Sequence, residues 1–134
     1  QFETFRHQPA HTYVTEDAPD IKKADAVEIT YEQAPIKAYQ QLLGYLDAVR
    51  AKLGEVRCPV LCFQSLEDHV VPPSNTDCLL GKISSEQAGK HELHNSYHIA
   101  SMDYELDVIV AKSLEWIERV TVAPADAAKN SLHA

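Results

Sequence analysis

Asp68 and His98 are the residues of this sequence whose types and spacing best support acid–base chemistry. In "VLCFQSLEDHVVPPSN" (residues 60–75) an apolar run gives way abruptly to Glu67-Asp68-His69. Thirty positions after Asp68, "HNSYHIASMDYE" carries His98. A carboxylate beside an imidazole holds its Nδ1–H, fixes the tautomer, and stabilises the imidazolium formed when Nε2 accepts a proton. Glu67 and His69 flank the carboxylate and are read as solvent-facing or structural. His91 and His94 stand three apart in an extended stretch, so they point to opposite faces. No tight spacing such as H-E-x-x-H occurs, and no metal is expected.

The elements that would have to bring the two residues together can be read from periodicity. Ile36, Tyr39, Leu43, Leu46, Val49 and Leu53 recur at helical spacing, with Pro35 in the first turn and Gly54 as a stop. "CPVLCFQ" (residues 58–64) is short and apolar on both faces, as in a strand buried on both sides of a parallel sheet. A short helix over 75–82 follows, with Ser74 as its cap, and then a weaker strand at "KHELHN" (residues 90–95). Ser101 or Asp103 is expected to cap a last helix, lined by Leu106, Ile109, Val110, Leu114, Ile117 and Val120. Residues 57–120 thus predict strand–helix–strand–helix, a parallel unit with a right-handed crossover. Side chains that do chemistry gather beyond the carboxyl ends of such strands. Asp68 and His98 each follow a strand by a few residues, so adjacent parallel strands would join their loops. Two strands alone leave edges and faces uncovered, which implies the end of a larger α/β sheet.

These stretches carry a resemblance. "SLEDHVVP" and "HNSYH" are similar to the C-terminal part of α/β-hydrolases, in particular bacterial carboxylesterases and monoacylglycerol lipases. In that family one strand ends in a G/S-x-x-D-x-[VI]-[VI]-[PN] loop bearing the triad acid, and the next ends in S-x-H bearing the base. By position Asp68 matches the acid and His98 the base, with Ser96 two residues before it; Tyr97 stands where the family often has Gly. The resemblance covers roughly residues 20–120. It implies a partial cap or lid segment over 1–35, itself without a sustained period and read as mobile or context-dependent. It also implies the C-terminal half of the hydrolase core over 36–120, and residues 121–134, where the pattern is lost, read as a disordered tail. The implied substrate is a small-molecule ester, whose apolar acyl chain would lie against Tyr39, Leu43 and Leu46. No cofactor is implied.

The family's nucleophile sits in G-x-S-x-G, before the acid and base in chain order. No such motif can be formed from Gly44, Gly54, Gly81 and Gly89, the four glycines of the sequence. Ser65, Ser96 and Ser101 lack the elbow context. The reading is therefore an acid–base half that is inactive alone, whose partner is the N-terminal half of the same fold or a second copy of the chain. The alternative is a non-catalytic domain that pairs through its exposed sheet edge. A net charge of −8 argues against nucleic acid, and no apolar run is long enough to span a membrane. Cys58 and Cys62 are too far apart on one strand for a disulfide, at roughly 13 Å. Together with Cys78 they read as buried thiols in a reducing, cytoplasmic setting. A chain that opens on Gln1, with Met102 its single methionine, is expected of a processed or truncated product.

Overall fold

The computed structural model describes residues 2–9, 11–15 and 19–122, so the expected disordered tail lies, from residue 123 onward, outside the described residues. Strands β1 (Tyr13–Thr15) and β2 (Gln33–Pro35) form a short antiparallel pair, Tyr13 opposite Pro35. Helix α1 (Ile36–Lys52) leaves β2 directly. Pro35 is extended and precedes the first turn instead of lying in it. The first helical donor, Ile36 N–H, is satisfied by the Thr12 carbonyl at 2.8 Å. Ile36 and Leu43 are the buried residues of the helix. A 3-10 turn at Phe2–His7 rests on it. There the Phe5 and Tyr39 rings lie 4.8 Å apart, and Gln40 donates to the Phe5 and Gln8 carbonyls. The start of the chain thus takes its conformation from α1, since it has no period of its own. α1 ends by tightening into a 3-10 turn at Leu53–Glu55 that includes Gly54.

Strands β3 (Val60–Ser65) and β4 (Ala88–Leu93) are parallel, in register from Val60↔Ala88 to Ser65↔Leu93. Helix α2 (Ser74–Leu80) makes the crossover. It begins at Ser74, with Pro73 before it and no side-chain cap, so Ser74 is its first residue and not its cap. The expected burial of the first strand on both faces is only partly met. Gln64 and Ser65 are buried, while Val60 to Phe63 are half-covered. Cys58 is exposed, because the strand begins two residues after it. The physical reason is layer count: among the described residues β3 and β4 pair only with each other. Leu93, by contrast, is fully buried.

Helix α3 (Leu106–Thr121) closes the unit. Neither Ser101 nor Asp103 caps it. Ala100–Met102 form a 3-10 turn, Glu105 precedes the helix, and the Asp103 side chain is used elsewhere. The expected apolar stripe divides into two. Ile109 and Val120 are half-buried, as is Trp116 outside that stripe, whereas Leu106, Val110, Leu114 and Ile117, at helical spacing, are exposed. Trp116 lies over Gly89 of β4, where a Cβ would stand 2.8 Å from its ring. Among the described residues no helix is long and apolar enough to cross a membrane. Gly89→Ala should displace the sole tryptophan and cost about 1–2 kcal/mol by overpacking. A lowered urea midpoint with a red-shifted Trp116 emission is the expected result; an unchanged spectrum would show that this contact is loose.

Candidate active site

Asp68 and His98 meet. The in-register ladder ends at Ser65 and Leu93, so both segments leave the sheet at the same end. Asp68 follows its strand by three residues and His98 by five, and Asp68 Oδ2 lies 2.9 Å from His98 Nδ1. The other oxygen of Asp68 accepts the backbone N–H groups of Val70 and Val71, both at 2.8 Å, which folds the acid loop around its own carboxylate. Asp68 is nearly covered (10% exposed side chain) while His98 is 38% exposed. An ionised carboxylate only accepts, so His98 meets it with an Nδ1–H, which in the neutral ring leaves the lone pair on Nε2. That ring can take a proton at Nε2 from a group delivered to it.

The bases of the two loops are tied as well. Ser65 Oγ donates to the Ser96 carbonyl, and Ser96 Oγ donates to Glu105 at 2.8 Å. Both hydroxyls are thus engaged with groups other than His98, and Ser96 is fully buried. Tyr97, at the family's frequent Gly position, packs edge-on against His69 at 4.6 Å and has Lys22 Nζ 5.5 Å from its ring centroid. His91 lies edge-on to Phe63 and His94 is exposed, so these histidines do not converge with His98. Among the described residues no group of three His, Cys, Asp or Glu is placed to hold a metal ion.

The profile of the family described as serine aminopeptidase, S33, matches residues 4–105. The chain belongs to this hydrolase family. It is 39% identical over 107 residues to a thermostable monoacylglycerol lipase of Bacillus sp. (strain H-257), covering 80% of this chain and 43% of that protein. A solved structure reported for the metagenome-derived lipolytic enzymes LipS and LipT superposes with a TM-score of 0.79 at 31% identity, over 88% of this chain and 49% of that one. The monoacylglycerol lipase of Paleococcus ferrophilus shares the fold (TM-score 0.67, 12% identity), over 90% of this chain and 51% of that one. The fold is thus that of an α/β-hydrolase, and the chain spans less than half the length of the curated lipase it matches.

This S33-family chain surrounds its paired loops with three carboxylates that the sequence pattern did not single out for the site. Asp103, 4% exposed, accepts the N–H groups of Lys22, Lys23, Tyr97 and Tyr104. Glu105 accepts those of His94 and Asn95 besides the Ser96 hydroxyl. Asp20 accepts those of His69 and His98. Asp103 had read as a possible cap of the last helix; the closeness of Asp103 and Glu105 to "HNSYH" is the one signal that could have marked them. Asp20 lies 78 positions from His98, and no local pattern announces it. In all three, burial raises the carboxyl pKa and the donated hydrogen bonds more than reverse it. Asp20 and Asp103 are thereby held below their ordinary 3.8 and Glu105 below its ordinary 4.5.

Each of these groups is harder to protonate folded than unfolded, so the unfolded chain binds more protons in acid. Their contribution is complete above the ordinary values of 3.8 and 4.5 and is lost as pH falls through the lower folded values. The urea midpoint should be flat from neutral pH to about pH 5 and drop below about pH 4. A midpoint that rises on acidification would refute this. Asp103→Ala strands four backbone donors and should cost about 3 kcal/mol. Asp103→Asn, which keeps one acceptor oxygen, should fall between that variant and the parent in the same denaturation series.

Proposed function

We propose that this chain supplies the acid–base half of a serine carboxylic-ester hydrolase, with Asp68 as the acid and His98 as the base. The observation that carries this reading is the 2.9 Å pairing of Asp68 Oδ2 with His98 Nδ1, at the shared end of two parallel strands. A serine from outside these residues attacks the ester carbonyl carbon. His98 Nε2 takes the hydroxyl proton as the new C–O bond forms, and the imidazolium is stabilised by Asp68, which stays ionised. His98 then gives that proton to the departing alcohol oxygen as the ester C–O bond breaks. Water repeats the cycle on the acyl-enzyme and releases the acid, with His98 again moving the proton. Donors for the carbonyl oxygen would come with the serine.

The preference for an apolar acyl chain rests on α1. Leu43 and Leu46, with Val49, Leu53 and Leu79, form the apolar part of a cleft of about 260 Å³ whose remaining lining includes Arg6, Asp47, Arg50 and Asn75. Tyr39, expected beside them, packs at a tilt against Phe5 and belongs to the packing of the first turn. The partner would be the N-terminal half of the fold, which supplies the strands and helices that the chain leaves unpaired. The exposed Leu106, Val110, Leu114 and Ile117 stripe on α3 supports this, as do the outer edges of β3 and β4, unpaired among the described residues. A cytoplasmic setting accords with Cys58, Cys62 and Cys78 all being free thiols.

The test is hydrolysis of a short-chain chromogenic ester by the chain alone, and by the chain mixed with the G-x-S-x-G half of a related lipase. Alone, it should turn over no faster than its His98→Ala variant. Reassembled, it should gain activity that His98→Ala lowers by roughly a thousandfold or more. Equal turnover by the two reassembled forms would remove His98 from the mechanism. Activity of the isolated chain that His98→Ala abolishes would place the nucleophile within these residues instead.

A further inference from the structure

Asp20 occupies a position that the acid–base reading does not explain. One of its oxygens, Oδ2, accepts the backbone N–H of His69 and that of His98, each at 3.1 Å. The other, Oδ1, lies 2.7 Å from His69 Nδ1, and the Asp20 carbonyl accepts the Ile99 N–H at 3.1 Å. A single carboxylate thereby holds the residue after Asp68 and the residue His98 itself. Two nitrogens that share one oxygen at this distance stand no more than about 6 Å apart. The separation of the two loops at their tips is thus set by an atom that belongs to neither.

The segment around Asp20 is itself secured from both sides. Lys22 and Lys23 donate their N–H groups to Asp103, and Lys22 Nζ pairs with Glu67 at 2.8 Å. Residues 20–23 form a strap across the acid loop and the base loop. Other ties between these loops are the Ser65 Oγ bond to the Ser96 carbonyl, close to the strands, the edge-on contact of His69 with Tyr97, and the Asp68–His98 pair itself. Of the Asp20 bonds, those to the His69 and His98 N–H groups fix backbone to backbone at the tips.

We infer that Asp20 is a positioning residue for the Asp68–His98 pair, acting by drawing the two loop backbones onto one carboxylate. The inference deepens the hydrolase reading and rests on it for the role of the pair. Its physical content is tested on the chain as it stands, without ester or serine. With Asp20 in place, His98 is held with its proton on Nδ1. Asp20→Ala removes both side-chain acceptors, and the loop tips separate. His98 then loses its fixed Asp68 partner and samples both tautomers.

Asp20→Asn makes a sharper demand. The amide oxygen replaces Oδ2 and keeps the two backbone N–H bonds, while the amide NH₂ faces His69 Nδ1. His69 must therefore switch to the Nε2–H form, with Nδ1 accepting, and His98 must stay Nδ1–H.

The measurement is ¹⁵N–¹H correlation of the imidazole nitrogens, at a pH where both rings are neutral, for the parent chain and the two variants, with circular dichroism to confirm folding. The expected result is an Nδ1–H tautomer for His98 in the parent and in Asp20→Asn, mixed tautomers in Asp20→Ala, and a switched His69 in Asp20→Asn alone. An unchanged His98 tautomer in a folded Asp20→Ala chain would overturn the inference. Should Asp20→Ala not fold, Asp20→Asn decides it: loss of the His98 Nδ1–H form there, or retention of His69 Nδ1–H, would be equally fatal. Because no turnover is read, absence of ester hydrolysis would bear on the function proposed above and leave this result standing.

Discussion

Where two parallel strands end together, their backbones lose the ladder that satisfied their N–H groups, and those donors need acceptors at once. The organisation beyond β3 and β4 follows from that need. Asp68 takes the N–H groups of Val70 and Val71, Glu105 those of His94 and Asn95, Asp103 that of Tyr97, and Asp20 those of His69 and His98. Charged acceptors make such bonds stronger than neutral ones and fix direction as well as distance. The loops are therefore held in shape by carboxylates, and the His98 ring arrives at Asp68 with little freedom left to lose. A chain with net charge −8 spends part of that acidity on its own backbone.

The same layer logic explains what is open. A parallel sheet is stable when helices cover both faces and neighbours pair both edges. Here Trp116 covers Gly89 on one side, Ile36 and Leu43 are buried within α1, and Leu93 is enclosed at the carboxyl end of β4. The outer edges of β3 and β4 and one apolar face of α3 have no such cover among the described residues. The site end of the sheet is thus tightly hydrogen-bonded, while the flanks resemble a domain core cut open. That contrast fits a chain that spans less than half of the lipase it matches.

Much of this was legible locally. The helical recurrence from Ile36 to Leu53 marked α1 almost to the residue, and the apolar run ending at Gln64 marked β3. Asp68 and His98 stood out because each ionisable group directly followed such a run, and family resemblance matched both positions. Boundaries were less secure where a cap was inferred from residue type. Ser74 and Asp103 are good capping residues, yet Ser74 starts its helix and Asp103 is claimed by four backbone donors. Burial on both faces of β3 was inferred from composition, which states what a strand can tolerate and not what lies beside it.

By itself, then, the sequence determined the helices, the two parallel strands and the meeting of the Asp68 loop with the His98 loop, because periodicity and turn chemistry act over a few residues. The tertiary structure alone decided that Asp20, Lys22 and Lys23 cross those loops, that Asp103 and Glu105 serve backbone donors, and that one face of α3 stays uncovered. Contacts spanning 45 to 81 positions leave no periodic trace in a single chain. A buried acceptor is chosen by whichever donors the fold delivers to it, and that is settled only when distant segments meet.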